Sequence, residues 1–355
     1  LRHSGADDTR VELEVPDARR HAPARAPLAL VLALVATVLA VVLAPLVGTG
    51  GAAHAAGVGH RTARLKPLAD RVRVGAFVDG MTTDPSRLDD FARTIDHPVG
   101  LASYYYGYGD VFPGALERTF AAGGTRAVLL SWDMGPSRLR SWARGRHDGY
   151  LRRIARAARA YPYPVYVRPW PEMNGDWQPF QPTPRGEKPS GGTYAEFKAA
   201  WRHVVSYTRA RGATNLRWVF NPSSDVYAGT TPVRRIWPGA RYVDVLGIDG
   251  FNWGDGGNYG GWRSFATVFT GQYRHLTALD RTAPVWICEF GSKEPLEDDG
   301  APASAGASKA AWLRSALTLR AMPRLTMLTF FQADKERDWR ADSSAEALDA
   351  VRRYL

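Results

Sequence analysis

The 355-residue chain is 45% hydrophobic and 23% charged, with a net charge of +11. These proportions exclude a disordered or fibrous chain and leave room for one large α/β domain or two ordinary ones. The single cysteine, Cys288, excludes an intrachain disulfide. The positive charge is carried mainly by arginines, with no Lys/Arg block, and reads as solvated helix faces and loops rather than a nucleic-acid site.

The first segment has the order of an export signal. Arg19, Arg20 and Arg25 precede an apolar run, Leu28 to Ala44, and Ala53-His54-Ala55 offers a small-x-small cleavage site. Residues 1–55 therefore read as a signal peptide or an uncleaved signal anchor, with residues 28–47 as a possible membrane tether. Residues 56–70 read as a polar linker. Both readings of the leader put the rest of the chain outside the cytoplasm, secreted or anchored.

From Arg71 onward, short apolar segments alternate with helical patterns. The predicted strands are Val72–Val78, Val99–Tyr105, Arg126–Trp132, Val165–Trp170, Leu216–Phe220, Val243–Ile248, Val285–Glu289 and Leu325–Phe331, each rich in β-branched or aromatic residues. Between them, Leu88, Phe91, Ala92 and Ile95 follow helical spacing, as do Leu151, Ile154, Ala155 and Ala158 behind a candidate N-cap at Asp148. Thr193 and Glu196 form a capping box ahead of Phe197, Trp201, Val204, Val205 and Thr208. Ser308 caps a further helix with Trp312, Leu313, Ala316 and Leu319 inward. Eight strands alternating with helices predict a single (β/α)8 TIM barrel over residues 71–355. A doubly wound dinucleotide fold lacks support, because "GAFVDG" after the first strand does not fit the Gly-rich phosphate turn.

In such a barrel, chemistry belongs where strands end and loops begin. The residues there include Tyr105, Trp132, Arg168, Asn221, Asp249, Phe251 and Trp253, an aromatic, carboxylate and amide ring poor in histidine. Aromatic faces stack on sugar C–H faces, amides and arginines bond hydroxyls, and hydrolysis of a glycosidic bond needs two carboxyl groups. "RPWPEMNGDW" offers Glu172 at the end of the fourth strand, and "PVWICEFGS" offers Glu289 at the end of the seventh. Either glutamate alone could be an ion-pair partner at the barrel mouth. The two together, at these strand ends, predict catalysis, with Glu172 as general acid then base and Glu289 as nucleophile kept ionised by Arg168. Carboxyls about 5–5.5 Å apart would give retention of anomeric configuration. No metal-ligand set or cofactor motif accompanies them.

"RPWPEMNGDW", "VDVLGIDGFNWG", "WICEFGS" and "ADKERDWRADSS", in this order, resemble glycoside hydrolase family 26, the β-mannanase family. The resemblance runs from about Arg71 to the C-terminus. It implies a (β/α)8 barrel, a retaining mechanism with the roles above on Glu172 and Glu289, and cleft positions for Asn174, Trp177, Trp253 and Trp339. Two positions depart from the family pattern. Pro171 stands where members commonly carry histidine, and Phe251 where many carry a tyrosine whose hydroxyl can reach the nucleophile. The family implies an endo-β-1,4-mannanase first, with mixed-linkage or β-1,4-glucan and β-1,3-xylan as alternative substrates.

Of the other aromatics, Trp142, Trp201 and Trp312 read as core, Trp170 as either core or cleft, and Trp177 and Trp253 as sugar-stacking. Cys288 is expected on the opposite face of its strand from Glu289, buried and inert. The stretch from Lys293 to Lys309 is low in apolar residues and reads as a mobile loop or lid. The expected partner is a β-linked polysaccharide bound by a monomer. A reading of another class is a non-catalytic carbohydrate-binding barrel in polysaccharide export. A nucleic-acid or membrane-surface binder rests on charge alone.

Overall fold

The computed structural model describes residues 72–125, 127–254, 261–295 and 304–355. The leader, its apolar run and the linker lie outside the described residues, as do residues 296–303 of the loop read as a lid. Among the described residues, no helix is long and apolar enough to cross a membrane.

Eight parallel strands close into a barrel. They are β1 (Arg73–Val78), β2 (Leu101–Tyr106), β3 (Ala127–Trp132), β4 (Val165–Pro169), β5 (Leu216–Phe220), β6 (Val245–Asn252), β7 (Val285–Ser292) and β8 (Leu325–Gln332). Each pairs with its sequence neighbours, and β8 returns to β1 with Arg73 opposite Met327 and Val78 opposite Gln332. All eight coincide with the predicted segments. The main difference is at the mouth, where β6 and β7 continue to Asn252 and Ser292, beyond the predicted ends.

Helices alternate with the strands: α1 (Ser86–Ile95), α2 (Ala115–Ala122), α3 (Leu139–Ala143), α4 (Asp148–Arg159), α5 (Tyr194–Arg209), α6 (Val233–Ile236), α7 (Phe265–Leu279), α8 (Lys309–Thr318) and α9 (Ala345–Tyr354). The Thr193–Glu196 capping box forms as expected, with Thr193 Oγ1 accepting from the Glu196 N–H and Glu196 Oε2 from the Thr193 N–H. Ser308 Oγ likewise accepts from the Ala311 N–H. Asp148 is the first helical residue of α4 rather than its cap, a place held by His147. Its carboxylate is drawn away to His203 Nε2 at 2.6 Å.

The barrel has two separate apolar layers. One lies between strands and helices and holds Trp142, Trp201 and Trp312, the three tryptophans expected in the core. The other fills the lower barrel interior with Leu101, Leu129, Val219, Val245, Trp286, Cys288 and Met327. Strand alternation carries the same inward face up to Ser103 and Tyr105 on β2, Ser131 on β3, Asn221 on β5, Asp249 on β6 and Thr329 on β8. The interior therefore changes from apolar to polar as it approaches the mouth. Gly247 makes this possible, since a Cβ there would lie 2.3 Å from Asn221 Oδ1 and 2.9 Å from Cys288 Sγ.

Alternation is broken near the mouth on β7. Across β6, Ile248 faces Ile287 and Asp249 faces Glu289; across β8, Leu328 faces Ile287 and Phe330 faces Phe290. On both sides β7 carries one residue more than its neighbour, a β-bulge at Cys288–Glu289. Cys288 packs in the interior layer and Glu289 also reaches inward. The expectation that they face opposite sides is thus corrected: strict alternation does not hold through a bulge.

Candidate active site

The end of β4 turns sharply. Trp170 and Glu172, on either side of Pro171, both take left-handed backbone conformations, with φ of 50° and 54°. For non-glycine residues each costs on the order of 1–3 kcal/mol and persists only where surroundings fix it. Here the Glu172 N–H donates to the Asn221 carbonyl at 2.8 Å, and the Gly175 N–H donates to the Glu172 carbonyl at 2.8 Å. Gly175 lets the chain fold back on itself, because a Cβ there would sit 2.4 Å from the Trp177 ring. Trp177 Nε1 then donates to Glu172 Oε2 at 3.0 Å, with Gln178 Nε2 at 3.4 Å. Burial, followed by the negative charge of Glu289, pushes the Glu172 carboxyl up to about 7.

Glu289 sits in a different setting. Its Oε1 accepts from the Tyr105 hydroxyl at 2.6 Å and from Arg168 Nη2. Burial and the Glu289 charge hold the Tyr105 hydroxyl well above its ordinary value, so it remains a donor. Arg168 is fully buried, and its Nη1 reaches Asp249 Oδ2 at 2.7 Å. Asn221 Nδ2 donates to the same Asp249 oxygen at 2.6 Å. One guanidinium thus joins two carboxylates inside the barrel, and both donors to Glu289 converge on Oε1. Oε2 takes no hydrogen bond among the described residues.

The predicted residues separate into three groups. Tyr105, Arg168, Glu172, Trp177 and Glu289 come together at the mouth. Phe251, Trp253 and Trp339 join Phe77 and Phe331 in an aromatic cluster beside it; ring centroids are 4.8 Å apart for Phe251–Trp339 and 4.9 Å for Trp253–Trp339. Trp253 is half-buried while Trp339 is only 3% exposed, so Trp339 mainly packs the cluster.

Four residues do not face the cleft. Trp132 is buried against Phe112, Trp142 and Tyr150, with Nε1 donating to the Tyr150 hydroxyl at 3.2 Å. It lies opposite in parity to inward-facing Ser131 and therefore points to the helices. Trp170, left open between core and cleft, is also core, among Trp142, Phe197 and Trp201. Asn174 spends its amide on the backbone: Oδ1 accepts from the Ser223 N–H at 2.7 Å, and Nδ2 donates to the carbonyls of Ser223 and Asp225. Asn221 is buried under the site and holds Asp249 rather than opening to the cleft.

Asp249 stood in the ring of strand-end residues without a role of its own, and Gln178 was not singled out. A signal for Asp249 was available: a lone carboxylate in the apolar run "VLGID" needs a partner as much as Glu289 does. Gln178 carried none.

The fold is a closed parallel (β/α)8 barrel whose mouth carries one hydrogen-bonded glutamate just after β4 and one arginine-paired glutamate on β7. The chain is similar to glycosyl hydrolase family 26, whose sequence profile matches residues 143–284. It is 31% identical over 288 residues to Endoglucanase H of Acetivibrio thermocellus, covering 80% of this chain and 30% of that protein. It is 33% identical over 89 residues to a mannan endo-1,4-beta-mannosidase of Bacillus subtilis, covering 25% of this chain and 23% of the relative. The chain thus spans less than a third of either relative's length. Among solved structures, a family 26 beta-mannanase from Bacteroides ovatus superposes with a TM-score of 0.54 at 16% identity, covering 82% of this chain and 88% of that one. This last likeness speaks for the fold alone.

Proposed function

We propose that the chain is a retaining β-glycosidase acting on a β-linked polysaccharide, with Glu172 as acid/base and Glu289 as nucleophile. The observation that carries this reading is the opposite environment of the two glutamates. Glu172 is half-buried beside neutral indole and amide donors and is pushed up to about 7, whereas Glu289 is tied to a guanidinium. In the first step Glu289 Oε2 bonds to the anomeric carbon. The glycosidic C–O bond breaks, and the leaving oxygen takes the Glu172 proton. In the second step Glu172 takes a proton from water, the water oxygen bonds to the anomeric carbon, and the Glu289 carboxylate is released. The aromatic cluster of Phe251, Trp253 and Trp339 offers a wall on one side, and Trp177 on the other.

β-Mannan, the expectation from the motifs, is the first substrate in this reading, and three mannosidase relatives support it over short alignments. A mixed-linkage or β-1,4-glucan is the second, favoured by one observation: the relative aligned over 288 residues is an endoglucanase. Reducing-end release from mannan, glucomannan, lichenan and β-1,3-xylan tests both. Activity on none of them, with the glycans nonetheless bound, would leave the non-catalytic barrel standing.

The pH dependence has a definite sign. Glu172 donates a proton only below its raised value, so kcat/KM falls as pH rises through about 7. Glu172→Gln removes that limb and slows glycan cleavage about 10²–10⁴-fold, while bond-breaking in an aryl glycoside with an acidic leaving group is far less affected. Rate against pH for both proteins checks this, and an unchanged alkaline limb in the variant would contradict the role. Tyr105→Phe removes a donor to a charged oxygen, for which about 1.5–3 kcal/mol is typical. We expect kcat to fall roughly 10–100-fold with KM nearly constant. A rise in KM alone would instead place Tyr105 in substrate binding.

A further inference from the structure

The arginines that look scattered in sequence are gathered by the fold. Arg144, Arg146, Arg152, Arg153, Arg156 and Arg159 are all exposed on α4 and the turn leading into it. Arg118 Nη2, from α2, bonds the Ala160 carbonyl and adds its charge at the far end of the same helix. On α3, α4 and α5 the only carboxylates are Asp148 and Glu196, and both are engaged, with His203 Nε2 and the Thr193 N–H. None of the six arginines has a carboxylate partner among the described residues; Arg153 instead lies 5.3 Å over the Tyr150 ring.

Folding does not ask for this pattern. Arg152 and Arg156 stand at i, i+4, and Arg153–Arg156 and Arg156–Arg159 at i, i+3, so each pair repels along the helix. The helix dipole favours Arg156 and Arg159 in the last turn, but not Arg152 and Arg153. A stripe that is unfavourable in the free protein becomes favourable against a surface of opposite charge.

We propose that this face docks on an anionic phospholipid bilayer. The planar, five-donor guanidinium suits phosphate oxygens. The face is the convex outside of a wall helix. Its aromatics, Trp142 and Tyr150, are buried and offer no platform for stacking bases, which argues against single-stranded nucleic acid. The sequence also carries an apolar run, Leu28 to Ala44, of bilayer-compatible composition, and residues 45–71 can extend at most about 90 Å before β1 begins. A wall helix lying on the surface leaves the barrel mouth open at the side. This proposal does not depend on the hydrolase reading.

The test is vesicle partition of the full chain and of R152Q/R153Q/R156Q/R159Q, on phosphatidylcholine alone and with roughly a third phosphatidylglycerol, at low and physiological salt. We expect wild type to prefer the anionic vesicles by at least about tenfold at low salt, and the variant to lose about a hundredfold on them and nothing on neutral vesicles. R152Q/R156Q, expected to lose about tenfold, serves if the fourfold variant misfolds. Equal partition of wild type and variant on anionic vesicles would overturn the proposal. So would tight, salt-sensitive binding of duplex or single-stranded DNA that depends on the same arginines while vesicles are ignored. Hydrolysis of a soluble glycan should be the same in all three proteins.

Discussion

Glu289→Ala is expected to lower kcat on the cognate glycan by at least about ten-thousand-fold while leaving the protein folded and able to bind that glycan. The loss is large because alanine cannot bond to the anomeric carbon, and water in its place lacks the held geometry. Folding survives because Arg168 keeps Asp249 as a buried partner when Glu289 is removed. Reducing-end assays paired with affinity electrophoresis read the two effects separately. If wild type and variant release product equally on every glycan, the nucleophile assignment fails. If neither releases any while both bind, the barrel is a binding protein. Retention itself is read from the anomer first formed by wild type in proton NMR.

The second large effect is on stability. Arg168→Met should cost about 3–5 kcal/mol, because it leaves Asp249 and Glu289 buried with no cation between them. For a domain of this size the thermal midpoint should fall by roughly 10 °C at neutral pH. The pH dependence follows from the sign of the shift. Burial already pushes the Asp249 carboxyl well above its ordinary value, against the pull of Arg168. Without the arginine, its pull on Asp249 is gone and that carboxyl rises further above the unfolded value of about 4. A group that binds its proton more tightly when folded penalises folding only once pH exceeds the unfolded value. The gap between variant and wild type should therefore be small near pH 4 and grow toward neutrality. Melts across that range check it. A gap independent of pH would mean that lost packing, not unpaired charge, is responsible.

The barrel was legible because each strand is a compact apolar run between turn-forming residues, and because helices such as α5 announce their start with a capping box. Both glutamates were legible for the same reason: each ends such a run. Side-chain direction was less accessible. Trp132 and Tyr105 both sit near strand ends, yet one points to the helices and the other to Glu289. Their parity follows from which residues below them fill the interior, and that requires strand register. The family resemblance put Asn174 in the cleft, but the Ser223–Asp225 backbone it ties down is some fifty residues away in sequence. The hydroxyl absent at Phe251 is supplied to Glu289 by Tyr105 from the second strand, a substitution visible only once the barrel closes.

The bulge on β7 has a consequence for the floor of this site. Cys288 and Glu289 face inward together because β7 holds one residue more than β6 and β8 at that point. The extra residue adds a small apolar side chain to the interior layer, in the space that Gly247 leaves open. Without it, Ile287, Glu289 and Phe290 would alternate regularly and Glu289 would still face inward, but Cys288 would no longer fill the floor of the site. The bulge therefore shapes what lies under the carboxylate rather than the direction in which it points.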